Sequence, residues 1–204
     1  MTGIILVGGK SRRMGQDKAF MSVGGKQVFQ RILDVFKTLF DEIMIVTNKE
    51  GRFSGYGYPE IVDLIPDSGP MGGIYTGLSY AKSDNIFVAS CDLPFIHPSP
   101  VKTIITEASD YDIVVPEIGG RLHPLHAAYS KRCMPLILKR LESKEFNITR
   151  FINEPHELSV KKIQMSELAQ EETWEKSVYN MNTPEEWLKA DGFVKNSRCK
   201  ARKS

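Results

Sequence analysis

Apolar residues in this chain follow two rhythms. Short unbroken runs, Ile4 to Val7, Ile43 to Val46 and Ile86 to Ser90, are rich in β-branched residues. Continuous apolar runs of this length suit strands covered on both faces, as in a parallel sheet. Between them the spacing changes. From Gln27 to Phe40 the positions Val28, Phe29, Ile32, Leu33, Phe36, Leu39 and Phe40 recur at helical intervals. Helices are also predicted over Ile74 to Ala81, entered from glycines, and over Pro98 to Ala108, with prolines at its start. Glu60 to Asp63 and Asp112 to Val115 read as further strands. The alternation predicts an α/β fold: a single domain of three α/β/α layers around a mostly parallel central sheet. Beyond Pro116 the pattern shifts. Gly119-Gly120 marks a hairpin turn and Leu122 to Tyr129 is extended. Lys131 to Leu141 is again helical, and Ser159 to Ile163 is a late strand. Thr183 to Lys189 is a short last helix, with Thr183 as cap and Pro184 at its first position. Residues 1–191 form the domain, and the basic, polar stretch 192–204 is expected to be a disordered tail.

Composition narrows the classes without choosing one. The chain has 204 residues, enough for one domain with a proper core. A net charge of +2 gives no case for nucleic acid or an anionic membrane as partner. No apolar run approaches the ~18 residues of a membrane-spanning helix, and no basic segment precedes a long apolar one as in a secretory signal. Cys91, Cys133 and Cys199 are odd in number and irregularly spaced. They predict a reducing cytoplasm, with neither a disulfide framework nor a zinc cluster.

Candidate chemistry gathers where strands end. In a parallel sheet, ligands sit beyond the carboxyl ends of the strands. The first strand runs into GGKSRRMGQDKA. Gly8 and Gly9 let the backbone turn tightly, and successive N–H groups in such a turn form an anion-binding concavity. Lys10, Arg12, Arg13 and Lys18 surround it with cations. Flexibility and charge together suit an oxygen-rich anion such as a triphosphate. The spacing fits neither a Walker loop nor GxGxxG. In IFVASCDLPFI, Asp92 directly follows a buried strand, a position that suits a carboxylate facing a cleft or capping the next turn. A hard cation such as Mg²⁺ takes one or two protein carboxylates together with phosphate oxygens and water. VDLIPDSGPMGGIYTGL supplies Asp63 and Asp67, natural acceptors for a guanine's paired donors, or else turn caps. Its Gly69, Gly72 and Gly73 suit a loop lying against a base or sugar.

The string GGKSRRMGQDKA fits GGxSxRMGxDKA and resembles the signature loop of the molybdenum cofactor guanylyltransferases, the MobA family. The likeness continues in the Gly-Pro-Met-Gly-Gly segment, with Met71 where leucine is common, in RLHPLHAAYS and in VYNMNTPEEW. It implies a fold of the nucleotide-diphospho-sugar transferase type, a Rossmann-like arrangement. It also implies that Leu6, Val7, Gly8, Gly9, Lys10, Ser11 and Lys18 hold the nucleotide, with Arg13 and Lys18 on its phosphates. The resemblance assigns nucleotide contacts to Asn48 and Asp63, with Asp67 as a rival one length-difference away, and the metal, Mg²⁺, to Asp92. His123 or His126, together with Asn180 and Asn182, would face the second substrate. Asn182 and Thr183 also form an ordinary helix start.

The implied reaction joins GTP to molybdopterin, releases pyrophosphate, and uses Lys18, Arg13 and Asp92 as its catalytic groups. Its nucleophile is a phosphate already ionised at neutral pH, which agrees with the lack of a visible triad. Other partners would be cofactor-biosynthesis proteins or molybdoenzyme chaperones. The alternatives are a CTP-using sister enzyme of the same fold and a non-catalytic protein that delivers the cofactor.

Overall fold

The structure is a computed structural model and describes residues 1–8, 18–164 and 170–201. Its centre is an eight-stranded sheet. From one edge run β5 (Glu60–Val62), β4 (Glu42–Thr47), β1 (Thr2–Val7), β6 (Asn85–Ser90), β9 (His126–Ser130), β7 (Ile113–Ile118) and β10 (Val160–Gln164). A short β8 (Arg121–Leu122) pairs with β7. The strands β5, β4, β1 and β6 are mutually parallel, β10 is parallel to β7, and β9 alone reverses between β6 and β7. The mostly parallel α/β sheet predicted from the unbroken apolar runs is present.

Both faces of the sheet are covered, which is why those runs do not alternate with polar residues. Ile5 and Val7 of β1 point into one core, beneath α1 (Val28–Lys37), α3 (Pro98–Glu107), α6 (Glu171–Ser177) and α7 (Pro184–Ala201). Ile4 and Leu6 point into the other, beneath α2 (Gly69–Tyr80), α4 (Met134–Glu142) and α5 (Ile148–Asn153). The apolar face read between Gln27 and Phe40 is that of α1, whose Val28, Phe29, Ile32 and Phe36 are fully buried. The Gly119-Gly120 turn joins β7 to β8 with φ of 58° and 72°, a left-handed pair that glycine adopts at little cost.

Three expectations are corrected. The last helix does not stop at Lys189, and the stretch read as a disordered tail is helical as far as Ala201. Ala190 is buried and Val194 packs against the core, so tertiary contact outweighs the roughly 1 kcal/mol that Gly192 costs inside a helix. The GPMGG segment is helix rather than loop, because α2 begins at Gly69. A Cβ on Gly72 would lie 1.8 Å from the Ser68 hydroxyl, and one on Gly73 would lie 3.0 Å from Leu6. These two glycines therefore let α2 sit close on its own first turn and on β1. Finally, a separate hairpin, β2 (Ser22–Val23) with β3 (Lys26–Gln27), follows the opening loop, where no element was predicted.

The edge beyond β9 is fastened by a buried carboxylate. Asp112, just before β7, accepts the Ser159 N–H at 2.9 Å, the Ser159 hydroxyl at 2.9 Å and the Ser130 hydroxyl at 3.0 Å, and pairs with Arg132 at 3.1 Å. Burial pushes its pKa up, but these donors together hold it below the usual carboxylate range. A carboxylate with a depressed folded-state pKa stabilises the fold above its unfolded value of about 3.9, and that stability is lost as the pH falls through the folded value. Asp112→Asn should therefore unfold more easily at pH 7, and its stability should fall less than wild type's between pH 5 and pH 2. Urea titrations across that range check it.

Candidate active site

The strand order places a crevice between two neighbours. From β1 the chain crosses to β4 and then β5 on one side, and α2 then returns it to β6 on the other side of β1. The two crossovers diverge there, at the kind of switch point that leaves a crevice outside the carboxyl ends of β1 and β6. Gly8 lies at the end of β1, exposed and with open space around it. At the end of β6 lie Ser90, Cys91 and Asp92, and the Cys91 N–H donates to the Leu6 carbonyl at 3.1 Å, tying the two strand ends together.

Three residues far apart in sequence converge on this cleft. Lys18 starts a 3₁₀ turn, Lys18–Phe20. Its ammonium donates to Asn182 Oδ1 at 2.8 Å and lies 3.9 Å from Asp92 Oδ2. Lys18 and Asp92 keep 15% and 18% of their side-chain surface exposed, enough to meet a ligand while largely withdrawn from water. The Ser90 hydroxyl donates to Asp92 Oδ1, and the Asp92 carbonyl accepts the Met181 N–H at 3.0 Å. Burial pushes the Asp92 carboxyl up, against the Ser90 hydroxyl and the Lys18 charge that pull it down.

The choice between cap and ligand at the last helix is resolved by a reciprocal capping box. Thr183 Oγ1 accepts the Glu186 N–H at 3.2 Å, and the Glu186 carboxylate accepts the N–H groups of Thr183 at 3.0 Å and Asn182 at 2.6 Å. Thr183 is the cap, and the Asn182 side chain is left to Lys18. Asn180 is exposed in the same connection and makes none of these contacts.

The wall beyond β1 carries the remaining nucleotide candidates. Asn48 directly follows β4, and its Oδ1 accepts the Arg52 guanidinium at 3.3 Å. Arg52 was not singled out from sequence; it sits in a polar loop with no periodic signal. Its loop is held by Glu60, whose carboxylate accepts the N–H groups of Gly51, Arg52 and Phe53 at 3.2, 3.0 and 3.2 Å. Asp63 Oδ1 accepts the Ile65 N–H at 3.1 Å and the Thr76 hydroxyl at 2.9 Å, so it staples its loop to α2, and burial raises its pKa. Asp67 is exposed, with φ of 60°. Gly69 opens α2 with clear space around it. The side chains of Leu6 and Val7 are buried in opposite cores, so only their main chain lies at the strand end. Gly9, Lys10, Ser11 and Arg13 lie outside the described residues.

The two histidines separate. His126 lies on β9, is 1% exposed, packs edge-on against Phe87 and has Nε2 3.4 Å from the Ser177 hydroxyl. Burial pushes its pKa down to about 3. It is a neutral core residue, and the expectation that it meets a second substrate is corrected: every position of β9 is buried, with Ala127 and Tyr129 in the opposite core, and the ring faces Ser177 of α6. His123 lies in the loop just before β9, next to Leu125, whose carbonyl accepts the Ser90 N–H at 3.1 Å. Burial first, and the Arg121 charge second, bring its pKa down to about 4. It is a neutral ring, able to donate a hydrogen bond but not to supply a positive charge at pH 7.

Charge management is the chemistry this cleft can perform. Cys91 is buried and its thiol is pushed up to about 12, mainly by burial, so it is no nucleophile. Among the described residues no group of three or more His, Cys, Asp and Glu could enclose a metal by itself. Asp92 nonetheless fits a divalent cation completed by substrate oxygens and water. Its carboxylate is partly buried, Ser90 and Lys18 stand beside it, and it lies just past the carboxyl end of β6.

Comparison with known proteins agrees with this geometry. The sequence model of the MobA-like NTP transferase domain matches residues 3–158. The chain is 35% identical over 197 residues to a probable molybdenum cofactor guanylyltransferase from Pelotomaculum thermopropionicum, covering 97% of this chain and 95% of that protein. It is 36% identical over 200 residues to the molybdenum cofactor guanylyltransferase of Desulfosudis oleivorans, covering 97% and 98%. The crystal structure of a molybdopterin-guanine dinucleotide biosynthesis protein A from Archaeoglobus fulgidus superposes with a TM-score of 0.83 at 23% identity, over 96% of this chain and all of the other. At that identity the superposition speaks for the fold.

Proposed function

The chain belongs to the MobA-like NTP transferase family, alongside the molybdenum cofactor guanylyltransferases, and from that premise we propose that it transfers GMP from GTP to the terminal phosphate of molybdopterin. It is a nucleotidyltransferase. A molybdopterin phosphate oxygen bonds to the α-phosphorus of GTP. The bond from that phosphorus to the bridging oxygen breaks, and pyrophosphate leaves with the electron pair.

The difficulty is that one anion attacks another, so the protein must offset charge and align the partners. Lys18 does the first: its ammonium is pre-oriented by Asn182 and stands beside Asp92 at the mouth of the crevice. Arg13 and the main chain of Gly8, Gly9, Lys10 and Ser11 would add donors to the phosphates. Nucleotidyltransferases of this family typically use a divalent metal. Here we assign Mg²⁺ to Asp92, where it would neutralise triphosphate charge when bound. Asn48 and Asp63, with Asp67 nearby, would meet the nucleoside on the β4 side. His123 and Asn182 would border the second substrate on the β9 side. No proton has to be removed from the nucleophile, which suits a cleft whose histidine is neutral and whose thiol is inert.

The observation that carries this is the convergence of Lys18, Asp92 and Asn182 at the switch point. No helix among the described residues is long and apolar enough to cross a membrane. Cys91 and Cys133 are free and buried, which supports a reducing cytoplasm. Cofactor-biosynthesis proteins or molybdoenzyme chaperones would receive the product there. The test is pyrophosphate release with molybdopterin, Mg²⁺ and either GTP or CTP. We expect release with GTP and at least about tenfold less with CTP, the discrimination that about 1.4 kcal/mol of base contact supplies. Faster release with CTP would assign the chain to the cytidylyl reaction, and tight GTP binding without release would make it a carrier.

A further inference from the structure

The hairpin that follows Lys18 is too small to hold itself. Each of its strands, β2 and β3, has two residues, and an isolated hairpin even of ordinary length is marginal in water. Yet Lys18, Ala19 and Phe20 lead directly into it, and the Lys18 carbonyl accepts the Met21 N–H at 3.2 Å. Whatever fixes the hairpin fixes the downstream anchor of Lys18.

Part of that fixation comes from α7. The Trp187 indole N–H donates to the Ser22 carbonyl at 2.9 Å. The Gly24 N–H donates to Asp191 Oδ1 at 2.8 Å. Val194 lies so close that a Cβ on Gly24 would meet its Cγ1 at 2.2 Å. Trp187, Asp191 and Val194 are spaced three and four apart, so they line one face of α7. The start of the same helix delivers Asn182 to the Lys18 ammonium. Arg31 of α1 donates to the Val23 carbonyl from the other side, and Phe20 stacks on the buried Phe53 with ring centroids 5.2 Å apart.

We infer that α7 is a clamp for Lys18: Trp187 and Asp191 are positioning residues that bind the hairpin, while Asn182, in the connection just ahead of the helix and tied to it through Glu186, holds the ammonium. This rests on the assignment of Lys18 to the nucleotide phosphates. A helix gripping both the anchor of the lysine backbone and the tip of its side chain fixes the lysine before substrate arrives. Less ordering is then left to the binding step.

The test is a double-mutant cycle on the affinity for GTP with Mg²⁺, measured by titration calorimetry on the full chain. Asp191→Ala should weaken GTP binding several-fold, and Asp191→Asn, which keeps an acceptor for Gly24, should recover most of it. Trp187→Phe keeps the ring, loses the donor, and should weaken binding in the same direction if Asp191→Ala fails to fold. In a Lys18→Ala background the Asp191→Ala and Trp187→Phe effects should vanish, an outcome that general destabilisation would not give. If Lys18→Ala weakens binding but Asp191→Ala and Trp187→Phe do not, or weaken it equally in both backgrounds, the clamp is wrong and the phosphate assignment stands. If Lys18→Ala leaves GTP affinity unchanged, the phosphate assignment falls and the clamp with it.

Discussion

Replacing Lys18 by alanine lowers pyrophosphate release by about 100- to 1,000-fold, the range seen when one pre-oriented donor to a developing oxyanion is removed. The reason lies in the ground-state geometry. The Lys18 ammonium is already within hydrogen-bonding distance of Asn182, at 2.8 Å, and near Asp92, at 3.9 Å, so little reorganisation remains when negative charge grows on the leaving pyrophosphate. The fold should survive the change. Among the described residues the side chain's polar contacts are a hydrogen bond to Asn182 and a loose ion pair with Asp92, and neither supports a core. Steady-state pyrophosphate release, with thermal melting as the control for folding, checks this. Activity within a few-fold of wild type in a folded variant would remove Lys18 from the chemistry.

Asp92→Ala is the second large effect. The loss should be on the order of 1,000-fold, corresponding to several kcal/mol of charge stabilisation. The residual activity should no longer respond to added Mg²⁺, because the carboxylate that would hold the ion is gone. Asp92 also receives the Ser90 hydroxyl and faces Lys18. Asp92→Asn, which preserves an acceptor for Ser90, separates the two roles: it should keep wild-type stability while showing the same loss of metal response. A Mg²⁺ titration of the rate in both variants decides it, and an unchanged half-saturation point would contradict the assignment.

Much of this site was legible because buried strands announce where they stop. IILV, IMIV and IFVA are apolar on consecutive positions, and within three residues of each run's end comes a residue with chemistry: Gly8, Asn48 or Asp92. A carboxylate two residues beyond a two-faced strand has few structural reasons to be there, so Asp92 stood out. Asn182 could be read, but its partner could not, because the meeting with Lys18 spans 164 positions and depends on strand order. The helix start was legible too: Thr183-Pro184-Glu185-Glu186 carries Thr and Glu three apart, the capping-box spacing, and the box is present.

What stayed hidden was set by tertiary contact. The β2–β3 hairpin is three polar residues and Val23 around a Gly-Gly turn, too short for any period to register. The length of α7 was underread because Gly192 and a run of cations look like a frayed end. Its apolar contacts at Ala190 and Val194 are visible only once the core they touch is known. The glycines of α2 were read as ligand contacts when Gly72 and Gly73 in fact make room for Ser68 and Leu6. His126 illustrates the same limit: it lies on a strand covered on both faces, so either register buries its ring, and only the strand order shows that.

The most direct measurement is a crystal structure of the full chain with GTP and Mg²⁺. The account predicts the triphosphate beyond the carboxyl ends of β1 and β6, its phosphates against the main chain at Gly8 and the Lys18 ammonium, with the cation between them and Asp92. Phosphates seated on the β9 side, next to His123 and away from Lys18, would contradict it.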